Sequence, residues 1–229
     1  MLCVEKNQYD LCIEVLRRLE KSGVLKDVIL IGSWCVHFYK EYFKNERYSG
    51  AIKTRDVDLL FPALSTNRIR IDVPNLLRDL GFIVGFKGLE GYIQLEHPDL
   101  IIEFLVPEKG RGSNKPWPLP QFGVNAQALR FLDLLTQDTV KLKIDGIEVR
   151  LPHPANFALQ KLIISQRRAI EEKRKKDKDS AIKILRALIS KDEATTVRRV
   201  FDSLDPKWQK KVMTGLEEAK EGDVLKILR

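Results

Sequence analysis

Apolar residues recur along the chain with two different spacings, which divide its first half into helices and strands. Apolar side chains at helical spacing predict helices over residues 8–22, 33–44 and 71–80. Shorter apolar runs bounded by turn residues predict strands at 28–31, 56–61, 82–86, 91–96 and 100–106. Helices interspersed with strands in this order predict an α/β (α+β) fold, with a mixed sheet flanked by helices.

The pattern changes after residue 106. Residues 107–125 are rich in glycine and proline and predict a long loop. Next, the segments 140–144 and 147–151 predict a hairpin, because the Asp145-Gly146 pair between them is a preferred two-residue turn.

Helical spacing prevails in the rest of the chain. Helices are predicted to begin at Pro154, at Asp177 or Asp179, and at Asp205-Pro206, where proline suits a first helical turn. The sequence thus predicts an α/β domain over residues 1–151 and a helical C-terminal subdomain over residues 152–229.

Length and composition limit the possible classes of protein. The chain has 229 residues, 44% of them hydrophobic, which is enough for a core in one large domain or two small ones. No apolar stretch approaches the ~20 residues of a membrane span, and acidic and basic residues interrupt any N-terminal signal pattern. Three cysteines without Cys-x-x-Cys spacing are typical of a reducing compartment. The expected location is the cytoplasm, with no membrane partner.

The net charge of +8 is partly local. Residues 167–178 hold seven basic and three acidic side chains, a net of +4. Such a run is either a solvated helix face or mobile loop, or a surface that handles the phosphates of a nucleotide or nucleic acid. Aromatic residues for stacking single-stranded bases are absent from the run. RNA therefore stays one candidate acceptor among several.

Carboxylates on apolar strands are the first candidate catalytic groups. Asp56 and Asp58 lie two residues apart in one predicted strand, so they project to the same face. Glu103 interrupts another apolar run. Carboxylates on apolar strands are costly unless solvated, paired or bound to metal, and two or three of them form the oxygen-rich site that Mg²⁺ prefers. The other interpretation of Asp-x-Asp is a solvated strand edge.

Gly32 and Ser33 complement these acids. They lie where an apolar strand ends and a predicted helix begins. A glycine there allows close approach of a phosphate, the helix N-terminus offers free N–H groups, and Ser33 can cap the helix or bind phosphate. A plain turn with an N-cap is the alternative. No P-loop, His-Glu-x-x-His or Gly-x-Ser-x-Gly motif occurs, which argues against those enzyme classes.

Taken in order, these residues resemble the motif of the nucleotidyltransferase superfamily built on the DNA polymerase beta-type palm. That motif is an apolar residue, Gly, Gly or Ser, then Asp-x-Asp/Glu and a later acid, which Gly32, Ser33, Asp56, Asp58 and Glu103 match. The gap before Asp56 is lengthened by residues 45–53 and is similar to that of abortive-infection toxin-type members.

The resemblance continues in the second half of the chain. Residues 126–133 and 149–162 are similar to segments of a bacterial family of nucleotidyltransferase-like proteins. By this resemblance Lys161, Lys176 and Asp177 would take part in nucleotide binding. From its position at the edge of an apolar stripe alone, Lys161 could equally lay its stem over the edge of the core.

The resemblance implies a metal-dependent nucleotidyltransferase. Asp56, Asp58 and Glu103 would be catalytic and bind Mg²⁺ or Mn²⁺, while Gly32 and Ser33 would hold the triphosphate. The enzyme would transfer a nucleoside monophosphate from an NTP to a hydroxyl of an unknown acceptor (RNA, protein or small molecule) and release pyrophosphate. The alternatives are an inactive nucleotide- or RNA-binding module and a toxin component with an antitoxin partner protein.

Overall fold

The structure is a computed structural model that describes residues 2–44, 48, 54–62, 70–110, 112 and 114–229. The helices are α1 (Leu2–Lys21), α2 (Ser33–Phe43), α3 (Val73–Leu77), α4 (Leu134–Gln137), α5 (Pro154–Ser165), α6 (Glu171–Ser190), α7 (Ala194–Asp202), α8 (Pro206–Glu218) and α9 (Gly222–Leu228). The strands are β1 (Ile29–Ile31), β2 (Asp56–Leu60), β3 (Ile83–Lys87), β4 (Tyr92–Glu96), β5 (Ile101–Pro107), β6 (Trp117–Leu119), β7 (Val124–Leu129), β8 (Thr139–Ile144) and β9 (Ile147–Pro152). The predicted α+β class is confirmed.

A mixed sheet organises the first half of the chain. Across it the strands run β1-β2-β5-β4-β3, and β7 pairs with the far end of β5 and with β6. Strand β5 lies parallel to β2 and β7 and antiparallel to β4. A strand with neighbours on both edges is buried, which explains why 101–107 is an almost unbroken apolar run. Glu103 is the exception in that run.

The hairpin β8–β9 and the C-terminal helices pack beside this sheet. The hairpin turns at Asp145 and Gly146, both with positive φ (45° and 86°), the geometry that favours Asp-Gly. Helix α5 contacts α6 and α8 and is buried over most of its length. Its N-cap is His153, whose side chain accepts a hydrogen bond from the Ala155 N–H. Helix α5 thereby fixes the side chains that face the sheet.

The segment predicted as a long loop, 107–125, contains more regular structure than expected. It includes β6, a 3-10 turn at Pro120–Phe122 and the first residues of β7. Strand β6 accommodates Pro118 because it is an edge strand paired on one side only. Strand β7 lacks β-branched residues beyond Val124, and its pairing with β5 decides its conformation.

The predicted start of a helix at Asp177 or Asp179 is wrong. Helix α6 begins at Glu171 and includes most of the basic run. Lysine, arginine and glutamate are good helix formers, and Glu171 and Glu172 in the first turn complement the positive end of the helix dipole. Most side chains in 171–179 are exposed, as expected for a solvated helix face.

Two further expectations concern the lengthened segment before Asp56 and the lack of a membrane span. The lengthened segment 45–53 lies outside the described residues except for Tyr48, which is buried. Within the described ranges, no helix combines the length and apolar character needed to span a membrane.

Candidate active site

Asp58 and Glu103 meet on neighbouring strands. In the parallel register of β2 and β5, Asp58 lies directly opposite Glu103, and on the other side of β2 it lies opposite Ile31. Asp56 is two residues earlier on the same face and lies opposite Ile101. Directly opposite positions in a sheet are close neighbours. The fold therefore brings the three predicted acids to one face of the sheet.

Gly32 packs against Asp58 at the end of β1. Its backbone adopts φ 76° and ψ −156°, and a Cβ atom built there would lie 1.9 Å from Asp58 Oδ2. Both the conformation and the contact require glycine. Ser33 is the first residue of α2, so it stands at a helix N-terminus beside the carboxylate. The turn predicted from the Gly-Ser pair thus adjoins the Asp-x-Asp strand.

Asp58 has a strongly perturbed acidity. Burial first, together with the negative charges of Glu103 and Asp56, raises its pKa from 3.8 to about 7, and Lys161 and Lys87 oppose the shift. Its side chain lines the cavity described below, and the residue is half-buried. Carboxylates crowded in this way hold a proton near neutral pH unless a cation neutralises them.

Asp58 is therefore expected to destabilise the metal-free protein as the pH rises from about 4 to about 7. Its folded-state pKa of about 7 exceeds the unfolded value, so the folded protein binds the proton more tightly and stability falls with pH across this interval. Asp58→Asn removes this titration, so its melting temperature relative to the parent should rise between about pH 4 and about pH 8. A difference that does not change with pH would contradict the raised pKa.

Glu103 already has a cationic partner. Lys87 Nζ, at the end of β3, donates to both Glu103 carboxylate oxygens at 2.8 Å. Arg55, the residue before Asp56, is another cation that could have paired with Glu103. It donates instead to the His97 carbonyl oxygen at 2.8 Å. Asp56 accepts a hydrogen bond from Thr54 Oγ1 at 3.1 Å. Two of the three acids are thus engaged by protein groups, and Asp58 is the one that faces the cavity.

The donor set suits a hard divalent cation only in part. Asp56, Asp58 and Glu103 offer oxygen atoms alone, the type that Mg²⁺ and Mn²⁺ prefer. Within the described part of the chain, however, no three His, Cys, Asp or Glu side chains are grouped closely enough to hold a metal ion. Asp56 and Asp58 fit the first contacts to such an ion, and Glu103 would have to exchange Lys87 for it.

A cavity of about 470 Å³ opens beside Asp58. Gly32, Asp58, Lys161 and Arg168 form one polar part of its wall. The remaining lining combines apolar side chains, called the apolar wall (Leu129, Phe131, Leu132, Leu135, Phe157 and Ile164), with the polar residues Glu108, Arg130, Gln160 and Arg167. Its volume lies within the usual range for a small-molecule site, roughly 300–1,000 Å³. One polar wall with several cations and one apolar wall match the two chemically different halves of a nucleotide.

Lys161 reaches this cavity from α5 as part of a buried ion cluster. Its Nζ donates to Asp177 Oδ1 at 2.8 Å, and Arg168 Nε donates to Asp177 Oδ2 at 2.8 Å. The side chains of Lys161 and Asp177 are only 12% and 7% exposed. Asp177 therefore holds two cations at the cavity wall. Lys176, the neighbouring residue, is exposed on α6 and is not part of the described cavity lining.

Several cavity residues were not identified from the sequence. Arg167 and Arg168 belong to the basic run, but their position in the same cavity lining as Asp58 follows only from the tertiary packing of α5. Gln160 and Phe131 had no signal of their own. With hindsight, Phe157, Gln160, Lys161 and Ile164 have the i, i+3, i+4, i+7 spacing of one helix face, and all four line the cavity.

Sequence and structure comparisons identify the class of protein. A model of a nucleotidyltransferase family matches residues 10–209, so the chain belongs to that family. A search of curated proteins finds no match.

Solved nucleotidyltransferase structures share the fold. An antigenic nucleotidyltransferase-like protein from Paracoccidioides brasiliensis is 14% identical, with a TM-score of 0.52, covering 95% of this chain and 92% of the other. ANT(2″)-Ia in complex with adenylyl-2″-tobramycin is 12% identical, with a TM-score of 0.50, covering 85% of this chain and 97% of the other. At these identities the likeness concerns the fold. It agrees with the family assignment.

Proposed function

We propose that the protein transfers a nucleoside monophosphate from an NTP to a hydroxyl group of an acceptor, in a reaction that requires Mg²⁺ or Mn²⁺. The observation that carries the proposal is the position of Asp58, directly opposite Glu103 and in contact with Gly32 at the mouth of a cationic cavity. An acidic pair beside a glycine turn at a helix N-terminus is an arrangement suited to phosphoryl transfer.

The triphosphate is held by the polar wall. Gly32 lets its own backbone approach the phosphates, and Ser33 with the N-terminus of α2 supplies hydrogen-bond donors. Lys161 and Arg168 provide positive charge, and Asp177 keeps both in place. Lys176, exposed on the same helix as Asp177, would approach the phosphates only from outside the cavity. These groups position the α-phosphorus near Asp58, and positioning supplies much of the acceleration in such reactions.

Asp56 and Asp58 would hold the divalent cation, with Glu103 as a third ligand or as the base. When bound, the ion neutralises charge on the reacting phosphate oxygens. The acceptor oxygen forms a bond to the α-phosphorus, and the bond from that phosphorus to the bridging oxygen of the β-phosphate breaks, so pyrophosphate leaves. As a base, Glu103 would accept the proton of the acceptor hydroxyl on one of its carboxylate oxygens. Lys87 would first have to give up its hydrogen bond to that oxygen.

One observation favours a second candidate function. The Lys87–Glu103 pair neutralises the acid that would act as ligand or base, as expected of a fold that binds nucleotide without chemistry. In that case the cavity would bind an NTP, or the 5′ end of an RNA, and release it unchanged. A role as a toxin component with a partner protein would concern the biological use of either activity and does not alter the chemistry.

The two candidates differ in the fate of the α-phosphate. The purified protein is incubated with each NTP labelled at the α- or the γ-phosphate, with Mg²⁺ or Mn²⁺ and with RNA, protein and small-molecule fractions of a cell extract. We expect the α-label to enter one fraction and the γ-label to appear in pyrophosphate. Small hydroxyl compounds deserve their own fraction because the ANT(2″)-Ia complex contains an adenylylated one. NTP binding without α-label transfer in any fraction would support the binding module.

A further inference from the structure

Gln160 is a buried polar residue whose amide has no protein partner. Its side chain is 5% exposed, and it lines the cavity beside Asp58. None of the hydrogen bonds formed by the described residues involves this amide. Among the described residues, the fully buried polar atoms without a partner are Trp34 Nε1, Asn156 Oδ1 and Arg174 Nε, so the Gln160 amide is not one of them and is open to the cavity. An amide of this kind that faces a cavity indicates a ligand with a matching polar edge.

The position of Gln160 separates it from the phosphate-binding groups. It is adjacent to Lys161 in sequence and lies between Phe157 and Ile164 on the face of α5 that lines the cavity. Lys161 donates a hydrogen bond to Asp177, and its positive charge acts to lower the pKa of Asp58. Gln160 carries no charge and is not part of the hydrogen-bonded cluster of Lys161, Asp177 and Arg168. A neutral hydrogen-bonding group next to apolar side chains is suited to an uncharged, planar part of a ligand rather than to phosphate.

Phe131 and Arg167 pack against each other in the lining of the same cavity. The Arg167 guanidinium lies over the Phe131 ring, with its central carbon 5.2 Å from the ring centroid, and Trp208 packs edge-on at 5.0 Å. Phe131 has a φ of 66°, a costly conformation for a bulky residue. Aromatic rings and guanidinium planes are the side chains on which nucleobases stack.

We propose that this end of the cavity is the nucleobase subsite. The base stacks against the Phe131–Arg167 pair, and the Gln160 amide donates one hydrogen bond to its edge and accepts another. The inference rests on the proposed function, because it assumes that the triphosphate of the same NTP occupies the polar wall at Lys161 and Arg168. It assigns the affinity for the base to residues that take no part in phosphate binding.

The test compares NTPs with tripolyphosphate, which has the phosphates but no base. Dissociation constants are measured by calorimetry with Mg²⁺ for tripolyphosphate and for the α,β-methylene analogues of ATP, GTP, CTP and UTP. We expect at least one NTP analogue to bind about tenfold more tightly than tripolyphosphate, from stacking and the amide hydrogen bonds. Equal binding of all five ligands would overturn the subsite.

Two variants locate the effect. Gln160→Met should reduce the affinity for the preferred NTP analogue about three- to tenfold, and Phe131→Leu about fivefold or more, while neither changes the affinity for tripolyphosphate. Gln160→Met should also leave the melting temperature about unchanged, because the amide has no hydrogen bond to the protein to lose. Gln166→Met is the matched control, since Gln166 bonds to Glu218 instead of lining the cavity.

The outcomes separate this inference from the proposed function. Loss of tripolyphosphate affinity in Gln160→Met would place the residue at the phosphates and overturn the subsite. A large fall in melting temperature with unchanged NTP affinity would show a structural role and would also overturn it. Transfer of the α-label by the parent protein would stand in either case, whereas absence of both transfer and NTP binding would reject the proposed function itself.

Discussion

Asp58→Asn is expected to reduce transfer of the α-label by about a hundredfold or more. Its carboxylate faces the cavity opposite Glu103, and loss of a metal-holding charge at a phosphoryl-transfer site removes several kcal/mol of transition-state stabilisation. In metal-free buffer the same change should leave the melting temperature unchanged or raise it, because it removes one of three crowded negative charges. Single-turnover assays and thermal melts measure the two effects.

Asp223→Asn is the matched control for this variant. Asp223 carries the same side chain, is 93% exposed and pairs only weakly with Lys226 at 3.6 Å. It should behave as the parent protein in both assays. Parent-like transfer in Asp58→Asn would refute the assignment of Asp58, whereas loss of transfer with a large fall in melting temperature would show that the variant misfolds and would require Asp56→Asn as the second probe.

Asp177→Asn is expected to destabilise the protein by about 3–5 kcal/mol, the typical cost of leaving a buried charge without its partner. Asp177 is 7% exposed and accepts from Lys161 and Arg168. Arg168 is 41% exposed and can turn to solvent, but Lys161 is 12% exposed and would stay buried without a counter-charge. Urea denaturation of the two proteins measures the difference in the free energy of unfolding.

A second substitution separates stability from binding in this cluster. Lys161→Met in the Asp177→Asn background removes the stranded charge and should recover most of the lost stability. It should not recover NTP or tripolyphosphate affinity, because the phosphates have lost a charge-assisted contact of about 1.5–3 kcal/mol. Full recovery of affinity together with stability would show that the cluster is structural and that Lys161 does not contact phosphate.

These contacts bear on the role of Lys161. From the sequence, Lys161 could either take part in nucleotide binding or lay its stem over the edge of the core. The structure places it in an ion cluster that is largely removed from solvent, and its removal alone leaves Asp177 with Arg168 as partner. The single variant Lys161→Ala is therefore expected to affect both binding and stability, which is why the double variant is the more informative one.

The sequence alone determined the local parts of the candidate site. Alternation along β2 puts Asp56 and Asp58 on one face whatever the rest of the fold does, since it is a property of the extended backbone. The Gly-Ser pair after an apolar run predicted the turn between β1 and α2, and Asp-Gly predicted the hairpin, because both depend on residues within a few positions of each other. The order of acids and turn then indicated the family that the comparisons show.

Only the tertiary structure decided how these parts meet. The register of β2 against β5 places Asp58 opposite Glu103, and the choice of Lys87 rather than Arg55 as the partner of Glu103 depends on strands β3 and β4. The placement of Gln160 in the cavity lining follows from the packing of α5 against α4, α6 and α8. Such contacts join residues far apart in the chain, and their free energies depend on burial and pairing that no local pattern contains.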